Sequence, residues 1–161
     1  MFKERPARNK FYLGPLEIKE STIDGAGYGV FATEDINKNV LIERCNIIKF
    51  DRWILKLYRE ERLHGHILAD YIFRWPGGKD VVIALGYGSL YNHGIKKEEQ
   101  NVLWRYCSPD PSMQDGELQV YESKIEAIEF WTKRKVTAGE ELFTNYGRTS
   151  EFGIEDPSEE A

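Results

Sequence analysis

Short β-forming pieces separated by turn residues recur along most of this chain, and they limit the folds that it can adopt. Residues 16–18, 29–32 and 40–43 are rich in residues that favour strands, and turn residues lie between them at 24–25 and 37–39. Strands this short and this closely spaced form small, irregular sheets. The sequence therefore predicts a β-rich domain, and no internal repeat is evident in it.

The middle of the chain combines a helical pattern with a hairpin pattern. Asp51 is of a type that caps helices, and apolar residues follow on one helical face at positions 53, 54, 57 and 58, so we expect a helix to about Leu63. Residues 71–75 and 80–85 then flank Pro76-Gly77-Gly78-Lys79, which predicts a β-hairpin with a Pro-Gly turn.

Two further strands are expected at 102–106 and 125–131, with a loop at 108–116 between them. The second strand alternates apolar and acidic residues over its first half, which is typical of a strand with one exposed face.

Composition excludes several classes of protein. A length of 161 residues is that of one ordinary domain, and 41% hydrophobic with 30% charged residues is close to the globular average. The longest apolar run, at 81–85, is far shorter than the roughly 20 residues of a membrane-spanning helix. Because no apolar stretch follows the charged N-terminus, we expect an intracellular protein, nuclear or cytoplasmic, and no membrane partner.

Charge and cysteines narrow the possible ligands. A net charge of −5 argues against nucleic acid as the main ligand and favours a cationic one, although solubility alone would account for a charge of this size. Cys45 and Cys107 form no Cys-x-x-Cys pair and are expected to be buried thiols. His64 and His66 lack a third nearby donor, so we expect a polar turn there and no metal.

Three glycines alternate near the N-terminus, at Gly25, Gly27 and Gly29. A dinucleotide fingerprint would need a two-residue gap before its last glycine and a helix after it, whereas a strand pattern follows here. Two interpretations remain. The glycines make a turn between strands, or they allow a nucleoside to approach the backbone closely.

Two later segments carry further candidate residues. Gly86-Tyr87-Gly88-Ser89-Leu90-Tyr91-Asn92-His93-Gly94 places an Asn-His pair after a glycine-rich turn, and Gly139-Glu140-Glu141-Leu142-Phe143-Thr144-Asn145-Tyr146-Gly147 places a tyrosine after a short strand. Alone, an Asn-His pair is an ordinary hydrogen-bonded turn. In this order with the glycine cluster, the segments resemble the SET-domain lysine methyltransferases over about residues 18–147.

The resemblance implies an α+β, β-rich domain of SET type, with several small sheets, a threaded C-terminal segment and a helical insert. It divides the chain into an N-terminal extension at 1–15, a SET domain at 16–154 with its insert at about 46–86, and an acidic tail at 155–161. We expect this tail to be disordered.

The same resemblance implies methyl transfer from S-adenosylmethionine to the side-chain amine of a lysine in a protein or peptide, with histones as the best-known substrate class. Asn101 corresponds to the asparagine of the family's Pro-Asn. The implied site comprises Tyr146 as the catalytic residue; Gly27, Tyr28, Gly29, Asn92, His93 and Phe152 against the cofactor; and Tyr87, Tyr91, Phe143 and Thr144 along the lysine channel.

Several residues depart from the family pattern. Ser89 stands where arginine is common, Gly94 replaces the serine of Asn-His-Ser, and Asn145 replaces the aspartate before the tyrosine. Thr144 is smaller than the Phe or Tyr often found there, which leaves room for multiple methylation. The alternatives are a catalytically inactive module that binds peptides or proteins, or a small β-domain of another role. The oligomeric state is open.

Overall fold

The computed structural model describes residues 11–51, 71–75, 80–107 and 127–145. This part of the chain is built from short β-strands, with a 3-10 turn at Gly88–Leu90. The strands are β1 (Tyr12–Leu13), β2 (Leu16–Glu20), β3 (Tyr28–Ala32), β4 (Leu41–Asp51), β5 (Ile72–Arg74), β6 (Asp80–Ala84), β7 (Asn92–His93), β8 (Val102–Cys107), β9 (Ala127–Thr132) and β10 (Glu141–Thr144).

The larger sheet is antiparallel and has the order β5-β6-β4-β9-β8, with β1 also paired to β4. The long strand β4 pairs with β9 through residues 41–46 and with β6 through residues 47–51. One strand therefore joins two parts of this sheet.

The smaller sheet has the order β2-β3-β10-β7, and β10 runs antiparallel to β3 and parallel to β7. It thus combines strands from the start, the middle and the end of the described chain. This arrangement of small sheets confirms the β-rich prediction. The expected helix, the Pro-Gly turn, the loop at 108–116, the acidic tail and the C-terminal segment beyond Asn145 lie outside the described residues.

Two similar crossovers connect the sheets. The crossover from β3 to β4 and the one from β9 to β10 pair with each other through Ile36 and Val136, whose backbones exchange hydrogen bonds of 2.9 and 2.8 Å. Asn39 (φ 61°) and Gly139 (φ 83°) take the same left-handed turn position in the two crossovers.

One hydrophobic core joins the two sheets. It contains small apolar side chains from both sheets together with aromatic rings from the larger one. The principal buried side chains are Val30, Ala32, Ile42, Val82, Ala84, Tyr91, Phe130, Val136 and Leu142. Cys45 and Cys107 are buried free thiols, as predicted. No helix in the described part of the chain is long and apolar enough to cross a membrane.

The expectation of an exposed face on β9 is wrong for its described residues. Glu129 is only 3% exposed. Its carboxylate accepts hydrogen bonds from Arg44, which is itself buried, at 3.0 Å from Nε and 2.5 Å from Nη2. Burial, the largest single influence, would raise the pKa of Glu129, but Arg44, together with Trp131 and Arg105, outweighs burial and lowers the pKa. The acidic residue is inside because a cation from the neighbouring strand accompanies it.

Candidate functional site

The smaller sheet brings the three predicted segments together. In its register, Glu141 and Leu142 of β10 lie opposite Phe31 and Val30 on one side. On the other side, Phe143 and Thr144 lie beside Asn92 and His93. The last segment therefore lies between the glycine-rich strand and the Asn-His strand, although about fifty residues separate each of these segments from the next in sequence.

Glu141 links these strands through its carboxylate. Oε1 accepts hydrogen bonds from Ser21 Oγ at 2.8 Å and from Asn92 Nδ2 at 3.1 Å. Oε2 accepts from the Thr22 backbone N–H at 2.7 Å and from the Thr22 hydroxyl. Burial would raise the pKa of Glu141, but these bonds, led by those from Thr22, hold the pKa below its usual value. The carboxylate thus stays ionised.

Asn92 continues this network to the glycine-rich strand. Its Nδ2 lies 3.1 Å from the carbonyl oxygen of Tyr28 and 3.1 Å from Ser21 Oγ, as well as from Glu141. Tyr28, predicted to contact a cofactor, is 67% exposed at the start of β3. The predicted cofactor residues of two segments are therefore in direct contact.

The three N-terminal glycines serve different purposes. Gly25 and Gly27 both have φ of 75°, a left-handed conformation, and a Cβ on either would meet no atom within 4 Å. Gly29 is different, because a Cβ there would lie 2.1 Å from Oε1 of Glu141. The loop before β3 lines a depression of about 510 Å³ between Glu20 and Gly27.

The turn that leads to Asn92 is held by Glu43, a buried residue that the sequence interpretation did not single out. Its Oε1 accepts the Tyr87 N–H at 2.7 Å, and its Oε2 accepts the Tyr91 hydroxyl at 2.8 Å. Burial, the largest influence, raises the pKa of Glu43 despite these bonds. No local signal marks this role, since the turn lies some forty residues away in sequence.

The two tyrosines predicted to line a channel lie at the core. Tyr91 is 1% exposed, and its ring stacks on Phe130 with centroids 4.4 Å apart. Tyr87 is partly buried and packs against the core. Whether either residue contacts a substrate stays a prediction.

Asn101 anchors β10 along its length. Its Nδ2 donates to the Glu141 carbonyl at 2.9 Å and to Glu140 Oε1 at 3.1 Å, while its Oδ1 accepts the Phe143 N–H at 2.8 Å. The side chain is fully buried. Both ends of its amide are therefore occupied by the strand that carries Glu141.

The end of β10 is also fixed. The carbonyl of Asn145 accepts a hydrogen bond of 2.8 Å from Trp104 Nε1. Thr144 is buried, and within the described part of the chain its hydroxyl has no hydrogen-bond partner. The predicted catalytic Tyr146, next along the chain, and the predicted lid Phe152 lie outside the described residues.

Trp104 belongs to a cluster of aromatic rings. The Trp104 ring meets Phe73 edge-on at 5.0 Å and Tyr106 at 5.4 Å, and Tyr106 meets Trp75 at 5.5 Å. Strand pairing between β5, β6, β4, β9 and β8 assembles these rings from distant positions, so the sequence could not have predicted their cluster.

Two departures from the family pattern have structural explanations. A Cβ on Gly94 would lie 2.9 Å from Cγ of Gln100, whose amide donates to the Gly94 carbonyl at 2.9 Å. Ser89 Oγ lies 2.9 Å from the Tyr71 carbonyl and 3.0 Å from the Ala84 carbonyl. Glycine is therefore needed at position 94 because a side chain would collide with Gln100, and Ser89 bonds to backbone carbonyls.

Among the described residues, no three His, Cys, Asp or Glu side chains are grouped as a metal site. His64 and His66 lie outside the described residues, so the expectation of no metal stays a prediction.

The family model of the SET domain matches residues 27–147. Among solved structures, a Plasmodium falciparum histone methyltransferase candidate has 21% identity and a TM-score of 0.57, over 86% of this chain and 97% of that one. No curated protein matches the sequence.

The polycomb repressive complex 2 of Chaetomium thermophilum aligns at 21% identity and a TM-score of 0.61, over 86% of this chain and 16% of that one. The same complex in an autoinhibited conformation, bound to S-adenosylmethionine, aligns at 20% and 0.62, over 84% of this chain and 15% of that one. At these identities the likeness concerns the fold, and the chain spans only a small part of the polycomb chains.

Proposed function

The chain belongs to the SET domain family, and from this premise we propose that it transfers a methyl group from S-adenosylmethionine to the side-chain amine of a lysine in a protein substrate. Histones are the first substrate class to test. One observation carries the proposal above the others: β10 joins the glycine-rich strand to the Asn-His strand, with Glu141 bonded to both sides.

The residues present fit the cofactor. Gly25 and Gly27 leave open space above their backbone, beside a depression of about 510 Å³, a volume within the range of small-molecule sites. When bound, S-adenosylmethionine supplies a methyl group on a positively charged sulfur. The residues proposed to hold it are Gly27, Tyr28, Gly29, Asn92 and His93, with Phe152 covering it.

Tyr146 is proposed to orient the lysine amine through its hydroxyl. Direct displacement needs little more than correct positioning and a favourable electrostatic setting. The lysine must lose its proton first, and its normal pKa of about 10.4 falls when it is desolvated near a positive charge. The hydrogen bond from Trp104 to Asn145 supports this role, because it holds the backbone immediately before Tyr146.

The proposed lysine channel is lined by Tyr87, Tyr91, Phe143 and Thr144. Thr144 supports it most directly, because its buried hydroxyl has no hydrogen-bond partner within the described chain. Its small size is compatible with a lysine that already carries a methyl group.

A non-catalytic module that binds peptides is the second candidate. Two positions favour this module. Gly94 has no side-chain hydroxyl, and the Ser89 hydroxyl is bonded to carbonyl oxygens of the chain itself. Any ligand contacts that the family makes through these positions are therefore replaced here.

The first experiment is calorimetric titration of the protein with S-adenosylmethionine and with its demethylated product. Saturable binding that Asn92→Ala weakens supports the cofactor site, and no binding up to millimolar ligand contradicts it. Tyr146→Phe then separates the two candidates. The enzyme loses methyl transfer to a lysine peptide but keeps cofactor binding, whereas the module shows no transfer in either form.

A further inference from the structure

At Gly29 a side chain would collide with another part of the chain. The φ of this glycine lies outside the left-handed region, so the backbone there would accept alanine. The obstacle is the side chain of Glu141, with Oε1 2.1 Å and Cδ 2.9 Å from the position of a Cβ; Asn92 Nδ2 follows at 3.2 Å. Gly27 is the opposite case, with φ of 75° and open space.

Glu141 has no free acceptor position for a ligand. A carboxylate offers about four lone-pair sites. Here Ser21, Asn92 and Thr22 occupy them, because Thr22 donates both its backbone N–H and its hydroxyl. Any influence of Glu141 on a bound cofactor must therefore act through these neighbours.

The neighbours form the edge of the site. The Ser21 N–H donates to the Gly27 carbonyl at 2.8 Å and closes the loop that lines the depression. The Thr22 N–H, at the start of that loop, donates to the Glu141 carboxylate. The Asn92 amide, which also donates to Glu141, donates to the Tyr28 carbonyl as well. One carboxylate thus holds both the loop and the asparagine.

We propose that Glu141 is a positioning residue that fixes the Ser21–Thr22 loop and the Asn92 amide for cofactor binding, and that Gly29 is glycine to make room for this carboxylate and not for the cofactor. The proposal rests on the proposed function for its cofactor. The arrangement of the carboxylate itself is independent of that function.

A double-mutant cycle of Gly29→Ala and Glu141→Ala tests the proposal. Two quantities are measured on each protein: the exchange rate of the Thr22 amide hydrogen without cofactor, and the affinity for S-adenosylmethionine by calorimetry. Glu17→Ala is the matched control, because it removes a partly exposed carboxylate from the same sheet, where its ion-pair partner is Lys19.

Each single variant is expected to speed Thr22 exchange and to weaken affinity about tenfold or more, as expected when bonds to a charged group are lost. The double variant is expected to match Glu141→Ala, since the added methyl group enters the space that the carboxylate leaves. Glu141→Gln keeps the shape but loses the charge, and is expected to be intermediate. The control is expected to change neither quantity.

Additive losses of affinity would overturn the role given to Gly29, because they would indicate that a side chain at this position disturbs the cofactor independently of Glu141. Unchanged Thr22 exchange in Glu141→Ala would overturn the role given to Glu141. If the wild type binds no cofactor, the proposed function fails, and the exchange cycle still decides whether the carboxylate holds the loop. If Gly29→Ala does not fold, recovery of folding in the double variant supports the proposal, and failure to recover contradicts it.

Discussion

Replacing Tyr91 with phenylalanine separates a core role from a channel role for this residue. The substitution keeps the ring that stacks on Phe130 and removes only the hydroxyl, which donates to Glu43 at 2.8 Å. A hydrogen bond to a charged group contributes about 1.5–3 kcal/mol. For a chain of this size each kcal/mol shifts Tm by about 2–4 °C, so Tyr91→Phe is expected to lower Tm by about 3–12 °C.

The loss is expected to depend on pH, because Glu43 titrates. Its pKa is raised in the folded protein, so the stability that its protonation contributes is fully present below the unfolded pKa and is lost as pH rises through the folded pKa. The Tyr91 hydroxyl opposes this shift. Tyr91→Phe is therefore expected to be more destabilising at pH 8 than at pH 5, and Glu43→Gln is expected to flatten the pH dependence.

Urea and thermal denaturation followed by circular dichroism at both pH values measure this effect. Tyr71→Phe is the control, since it removes a hydroxyl from a more exposed ring. Equal unfolding free energies for Tyr91→Phe and wild type at both pH values would refute the reasoning from the buried bond. If stability is unchanged while methyl transfer falls, Tyr91 contacts the substrate and belongs to the channel.

Three further substitutions test other parts of the structure. Asn101→Ala leaves buried backbone groups of β10 without partners and is expected to cost about 2–4 kcal/mol in urea denaturation. Trp104→Phe removes the bond to the Asn145 carbonyl, so kcat for methyl transfer is expected to fall while calorimetric cofactor affinity stays unchanged. Glu129→Gln removes the buried carboxylate charge that pairs with Arg44 and is expected to lower the free energy of unfolding, measured in the same denaturation assay; an unchanged free energy would contradict a stabilising buried pair.

The strands were predictable because their signals are local. Alternating or β-branched residues between turn residues indicated β2, β3, β8 and the first residues of β4, and the structure has strands at these places. The similar geometry of the two crossovers could not be predicted, because almost no residue types are shared between them. The two crossovers share only one pattern: an apolar residue, Ile36 or Val136, stands three positions before Asn39 or Gly139. A pattern of two positions is too weak to recognise in a sequence.

The local sequence pattern did not predict which charged residues are buried. Glu129 alternates with apolar residues, which usually means that the acidic face meets water. Its partner Arg44 is 85 positions away in sequence, and only the pairing of β4 with β9 brings them together. Glu43 is similar, since its donors lie in a turn more than forty residues later. Interactions at this separation leave no trace in a local pattern.

The roles of the glycines in the first motif could not be assigned from the sequence. A glycine is required either for a left-handed backbone or for space, and the sequence cannot distinguish the two. Gly27 meets the first need and Gly29 the second. The space at Gly29 is filled by the carboxylate of Glu141, a residue of the last motif, whose own position depends on Asn92 of the second. The three motifs therefore occur together in one chain because they pack on one another, and a substitution in one of them should be interpreted first through its effect on the other two.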